Sequence, residues 1–185
     1  MNSYRINANY AKALLLLAKD RGVDAAVADD MKTVDSVCAE NRELRAIFAN
    51  PTIRADKKVA VADALFVGRL HEETIAFLRF VIRKNRAVNL RGISQAYLAQ
   101  YRDSHGIVLS DLVTHQPIDD NARRSVTQIV EEYTGRTVEL NDHTDPNMLG
   151  GFKLEFDNKM YDARIRTKIR KLRNEFAKND YESKL

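Results

Sequence analysis

The stretch "HGIVLSDLVTHQP", His105 to Pro117, is where the chain changes character. Before it, apolar residues recur at helical spacing. Here Ile107, Val108, Leu109, Leu112 and Val113 crowd into one short run between Gly106 and Pro117. A β-branched, apolar run bounded by turn residues predicts a strand. The expected strand covers Ile107 to Thr114, and the expected domain boundary falls near residues 104–107. The fold class that follows is mainly α: an N-terminal six-helix bundle over residues 1–105, then a small α+β domain over residues 106–185.

Reading back from the boundary, the first helix is expected from about Ala8 to Arg21, ended by Gly22. The second runs from about Asp24 to Glu40, with Val27, Met31, Val34 and Cys38 at helical spacing. A short third element holds Leu44, Ile47 and Phe48. "ANPT", Ala49 to Thr52, breaks the chain, because the residue before a proline avoids helical geometry. The fourth, fifth and sixth helices are expected at about Arg54–Phe66, Glu72–Lys84 and Leu90–Ser104. Short connections between them imply antiparallel neighbours.

Reading forward, Asp119 or Asp120 can cap a helix whose stripe is Ala122, Val126, Ile129, Val130 and Tyr133, with Gly135 at its end. "TVEL", Thr137 to Leu140, is a second strand. Phe152, Leu154 and Phe156 alternate with Lys153, Glu155 and Asp157, the pattern of a half-buried strand. Asp157-Asn158 suits a tight hairpin turn, and Lys159 to Tyr161 returns as a strand. A last helix from about Ala163 to Ala177 carries Ile165, Ile169, Leu172 and Phe176 as a packed apolar stripe. The polar tail after Ala177 is expected to fray.

Composition narrows the function. The chain has 185 residues, 44% hydrophobic and 30% charged, with a net charge of +4. The first 106 residues carry 17 basic against 12 acidic side chains, and the remainder 13 against 14. The strongly basic last helix therefore lies in a region that is neutral overall, whereas a nucleic-acid domain is more often basic throughout. Its longest apolar run, Ala13 to Ala18, is far short of the roughly 20 residues a spanning helix needs. It also lacks the flanks of a signal peptide. The single cysteine, Cys38, reads as a buried, inert thiol in a reducing compartment.

No catalytic set emerges. His71, His105, His115 and His143 are far apart and lack metal-ligand spacing, so loop or surface positions are expected. Gly150-Gly151 matches no phosphate-binding loop. It precedes a strand, whereas such a loop follows one and opens a helix. Its reading is a turn needing positive φ or close backbone approach. The pairs Asp29-Asp30, Glu72-Glu73 and Asp119-Asp120 suit helix N-termini, and Glu131-Glu132 a solvated face. No catalytic residue, metal or cofactor is expected. The basic residues of the last helix, Arg164, Arg166, Lys168, Arg170, Lys171, Arg173 and Lys178 against Glu175 alone, keep open the alternative of a small basic nucleic-acid-binding protein.

Two helices are too apolar for one buried stripe. Tyr10, Leu14 and Leu17 form one face of the first helix, and Ala11, Leu15 and Ala18 another. The fifth is apolar from Ile75 to Ile82 except at Arg79. Either both helices are central in the bundle, or they wall an exposed groove that accepts an amphipathic helix from a partner. Periodicity does not choose between these.

Four stretches in order resemble one family, the delta subunit of F-type ATP synthases, whose mitochondrial relative is the oligomycin-sensitivity-conferring protein. They are "YAKALLLLA" (Tyr10 to Ala18), "NPTIRADKKVAVADALF" (Asn50 to Phe66), "FLRFVIRKNRAVNLRGI" (Phe77 to Ile93) and "LGGFKLEFDNKMYDARIRTKIRKL" (Leu149 to Leu172). The resemblance spans nearly the whole chain. One departure is that Asp162 is followed by Ala163 and Arg164, where the family's signature continues with Gly and Ser. This predicts a differently shaped start to the last helix.

The resemblance implies a non-catalytic stator subunit of a rotary, proton-driven (in some members sodium-driven) ATP synthase. In that role the chain keeps the catalytic head from turning with the rotor. The N-terminal helix of the alpha subunit would bind Tyr10, Ala13, Leu14 and Leu17 on the first helix and Ala76 and Phe80 on the fifth. The C-terminal end of the stalk b subunit would bind near Gly150, Gly151, Phe152, Ile165 and Ile169. No nucleic acid is implied. The implied location is peripheral, on the cytoplasmic face of the cell inner membrane, with membrane association only through the complex.

Overall fold

The computed structural model describes residues 2–157 and 159–178. The described residues are mainly helical, with eight α-helices and one four-stranded sheet. The chain divides between His105 and Gly106 into two compact units.

The first unit holds α1 (Asn2–Asp20), α2 (Asp24–Glu40), α3 (Arg42–Ala49), α4 (Ala55–Phe66), α5 (Glu72–Arg83) and α6 (Leu90–His105), with a 3-10 turn at Ala87–Asn89. Helix α1 starts about two turns before the expected Ala8. The segment ahead of Ala8 shows no apolar period; α6 meets only its last residues, where the Gln100 amide donates to the Ala8 carbonyl at 3.0 Å and Asn7 packs where a Cβ on Gly92 would stand. Two cores meet here. Ala11, Leu14, Leu15 and Ala18 of α1 pack with Val27, Ala28 and Met31 of α2 and Tyr97 of α6. Leu78, Val81 and Ile82 of α5 pack with α2, α3, α4 and α6 residues such as Val34, Phe48, Phe66 and Ile93. Phe77 touches both. The lone charge inside the apolar run of α5, Arg79, pairs with Asp63 of α4 at 2.8 Å. Cys38 is buried, as read, and burial pushes its thiol pKa up, which disfavours the reactive thiolate.

Asp30 corrects the reading of the acidic pairs. It lies within α2 rather than at the start of a helix. Its carboxylate accepts from the His71 backbone N–H at 2.8 Å and from the Thr74 hydroxyl at 2.6 Å. It thus supplies to α5, from another helix, the acceptor that a capping box takes from its own third residue. Thr74 is fully buried, so losing this acceptor strands a hydroxyl. Asp30→Ala is expected to destabilise the first unit by about 1–3 kcal/mol, read as a lowered urea midpoint with an unchanged m-value. Wild-type stability would show the contact to be incidental.

The second unit is built on β1 (Ile107–Thr114), α7 (Asp120–Thr134), β2 (Thr137–Thr144), β3 (Phe152–Phe156), β4 (Lys159–Asp162) and α8 (Ile165–Lys178). Strand order is β2-β1-β3-β4. α7 returns β2 parallel to β1, and β3 and β4 add antiparallel. β2 runs four residues past the expected "TVEL", because every residue from Ile107 to Thr114 has a partner on it. The polar end of β2 is held from the side: Asn141 donates to Asp111 at 3.3 Å, and Asp142 pairs with Arg123 of α7. α7 starts as read, with the Asp119 carboxylate accepting from the Ala122 N–H at 2.7 Å, and ends at Gly135. Leu112, Val130 and Leu154 form the buried centre. Asp157 has the positive φ of a tight turn, 44°. Its expected turn partner Asn158, and residues 179–185 of the polar tail, lie outside the described residues.

Candidate functional site

The apolar excess of α1 and α5 is accounted for by a groove between them. Both helices turn one face into the cores and a second into an open cleft of about 650 Å³. Tyr10, Ala13, Leu14, Leu17, Ala76 and Phe80 all line it. Leu14, 1% exposed, forms the floor, whereas Leu17 and Phe80 are 40% and 49% exposed. Leu16, one residue away, faces outside the cleft.

The walls are tied across both ends. At one end the Tyr10 ring meets Phe77 and Phe80 with centroids 6.5 and 6.3 Å apart, in tilted to edge-on geometry. Such pairs contribute beyond their buried area. At the other end Arg21, just past α1, pairs with Glu73 in the first turn of α5. That hydrogen bond holds the Glu73 carboxyl below its ordinary range, so it stays ionised. His71 also pairs with Glu73. Asn9, Arg21, Glu72 and Glu73 are the polar members of a lining that is otherwise apolar. A cleft with this lining can seat one face of a helix.

The described residues of the first unit bring no metal cluster together. All four histidines are exposed, as expected of them. Two are paired, His71 with Glu73 and His105 with Asp24.

The residues proposed for the second unit scatter more. Gly150 and Gly151, at φ 131° and 83°, lie against the start of α8. A Cβ on Gly150 would stand 2.9 Å from the Ile165 side chain. A Cβ on Gly151 would stand 2.4 Å from the Ala163 carbonyl oxygen. The pair is a close backbone crossing. Ala163 and Ile165 donate their N–H groups to the Phe152 and Gly150 carbonyls at 2.9 and 3.1 Å, which is why α8 begins at Ile165 and not at Ala163.

The packed stripe expected on α8 is corrected. Ile165, Ile169, Leu172 and Phe176 are 44–77% exposed, because only Thr167 of the first turns is buried against the unit. A second groove of about 470 Å³ lies between α7 and the β3–β4 hairpin. Phe152 lines it, together with Ile129, Tyr133, Met160 and Tyr161, and Lys159 lies over the Tyr133 ring at 4.7 Å. Ile129 and Tyr133, part of the single stripe expected on α7, are exposed and wall this groove, which the stripe alone does not reveal. The adjacent pair Met160-Tyr161, at the edge of the sheet, was the available signal, since one of two consecutive strand residues must face outward.

Asp162 explains how the chain tolerates Ala163-Arg164. Its carboxylate accepts from the Arg164 backbone N–H at 3.0 Å, the Arg164 guanidinium at 2.9 and 2.6 Å, and the Thr167 hydroxyl at 3.0 Å. The Arg164 hydrogen bonds dominate in holding its pKa far below the ordinary carboxylate range. A depressed folded pKa gives stability that is present above the unfolded pKa and lost as pH falls through the folded one. The amide signals of Arg164 and Thr167 are therefore expected to show no titration midpoint at the ordinary aspartate pKa of about 4. A midpoint there would contradict this anchoring.

The family model for the ATP synthase delta (OSCP) subunit matches residues 6–176. The chain belongs to this family. Among relatives, it is 34% identical to ATP synthase subunit delta of Cytophaga hutchinsonii, over 96% of this chain and 97% of that one. It is 30% identical to ATP synthase subunit delta of Salinibacter ruber, over 91% and 89%. Among solved structures, a chain of the Toxoplasma gondii mitochondrial ATP synthase hexamer superposes with a TM-score of 0.69 at 19% identity, covering 92% of this chain and 97% of that one. That likeness speaks for the fold. Membership of the delta (OSCP) family gives the chain a place in the peripheral stalk, or stator, of an ATP synthase. No described helix is long and apolar enough to cross a membrane.

Proposed function

We propose that this chain is a non-catalytic connector, joining the alpha subunits of the catalytic head to the b subunit of the peripheral stalk so that the head resists rotor torque. The observation that carries it is the open α1/α5 groove, apolar along its length and tied at both ends. In this reading α1 to α6 act as one bundle, and the N-terminal helix of the alpha subunit lies on Tyr10, Ala13, Leu14, Leu17, Ala76 and Phe80. Exposed Ala13 and Ala76 let its backbone come close.

In the second unit the b-subunit end takes the uncovered apolar surface. Phe152 contributes through the α7 groove, and Ile165 and Ile169 through α8. The two glycines serve there as the backbone crossing that sets where α8 starts. The chain would lie on the cytoplasmic face of the cell inner membrane, held there by the complex in a proton-driven synthase. The experiment is a pull-down of the tagged chain from native membranes. Co-purifying alpha, beta and b subunits support the reading. Recovery of the chain alone, or with nucleic acid, would refute it.

A further inference from the structure

The α1/α5 groove is apolar along its length but not symmetric between its ends. α1 and α5 run antiparallel along it, since Arg21 at the end of α1 meets Glu73 at the start of α5 while Tyr10 meets Phe80 further on. Their dipoles therefore oppose each other and do not by themselves orient a third helix. The side chains do differ. At the start of α5, Glu73 is already committed to Arg21 and His71. Glu72 also lines the groove there and is exposed, and no ion pair or hydrogen bond joins its side chain to another of the described residues. At the far end Lys84 lies over the ring of Phe80, which lines the groove, 5.6 Å from its centroid. One end thus offers an unpaired carboxylate and the other an ammonium.

We propose that Glu72 and Lys84 fix the direction of the helix that docks in this groove. The occupant is an amphipathic helix with an acidic first turn and a basic last turn, lying antiparallel to α5. Its last turn meets Glu72 and its first turn meets Lys84. The charge distribution that best suits a helix's own dipole, acidic at the start and basic at the end, is then also the one the groove accepts in that direction only. Apolar contacts along the cleft supply adhesion, and the two end charges supply polarity, the division of labour found where electrostatics sets register. This inference rests on the groove being the helix-docking site of the proposed function.

The test uses the full chain and two synthetic helical peptides of about 20 residues. They share one apolar face. One carries Glu in its first turn and Lys in its last, and the other has these exchanged. Nitroxides on their last turns report the direction of docking. On the unmodified chain the first peptide is expected to broaden the amide signals around Glu72 and Glu73 and spare those around Phe80 and Lys84, and the exchanged peptide the reverse. In Glu72→Lys/Lys84→Glu both patterns are expected to reverse. Each exposed pair is weak, so the favoured direction is expected to outweigh the other by roughly threefold to tenfold. Broadening by the first peptide at the Phe80 end of the unmodified chain, or patterns that do not reverse in the charge-exchanged chain, overturn the assigned direction while leaving the groove as a docking site. Binding of neither peptide overturns both.

Discussion

Ala13→Asp is expected to weaken binding of an alpha-subunit N-terminal peptide by at least about fiftyfold, equivalent to roughly 2.3 kcal/mol. Ala13 lies in the open groove between Tyr10 and Leu17, facing the aromatic side chains of α5. A carboxylate there would be desolvated by the incoming helix with no cation in the apolar stretch to receive it. Its position is exposed, so the fold loses only the lower helix propensity of Asp, about 0.5–0.7 kcal/mol. Titration calorimetry gives the affinity, and circular dichroism confirms that the protein remains folded. Leu16→Asp is the control. It puts the same charge on the same helix at a position that is 60% exposed and outside the groove, and it is expected to bind as the wild type does. Equal affinities for the Ala13 variant and the wild type would remove the groove as the binding site.

Gly151→Ala is expected to destabilise the second unit by about 2–5 kcal/mol, the sum of a left-handed backbone penalty and a steric one. The added methyl would lie 2.4 Å from the Ala163 oxygen and 2.9 Å from the Arg164 Cα. Both are backbone atoms, so no rotamer change relieves the overlap. The crossing strands are also locked by the Ala163-to-Phe152 and Ile165-to-Gly150 hydrogen bonds. With a buried centre of Leu112, Val130 and Leu154, the unit has little stability in reserve. Hydrogen exchange should show residues 106–178 losing protection while residues 2–105 keep theirs. Gly150→Ala carries the backbone penalty as well, at a φ of 131°, but its methyl meets the end of the flexible Ile165 side chain in place of backbone atoms. Wild-type protection in Gly151→Ala would mean that the crossing is loose.

The elements were legible where one residue type forces one conformation. The Pro51 break, the Asp119 cap and the strand from Ile107 all stand where local chemistry puts them. The misjudged boundaries have no such local mark. β2 is as long as β1 makes it, and the first turns of α1 carry no apolar period that would mark their start. The groove was half legible. An excess of apolar residues on α1 and α5 announced a second face, but periodicity does not tell a covered face from an open one. The exposure of α8 went unread for the same reason. Its stripe is as regular as that of a packed helix, and only the neighbours decide what it touches.

The carboxylate of Asp30, reaching across from α2 to hold the start of α5, has a kinetic consequence. In the proposed docking the wall of the groove is braced from behind, and the groove need not open or reorganise before a helix enters it. The incoming segment alone bears the entropy of ordering. The lifetime of the joint can then be adjusted through the helical propensity of the segment that docks, with no change in the chain that receives it. Stopped-flow binding should accordingly be a single phase, whose rate rises in proportion to peptide concentration.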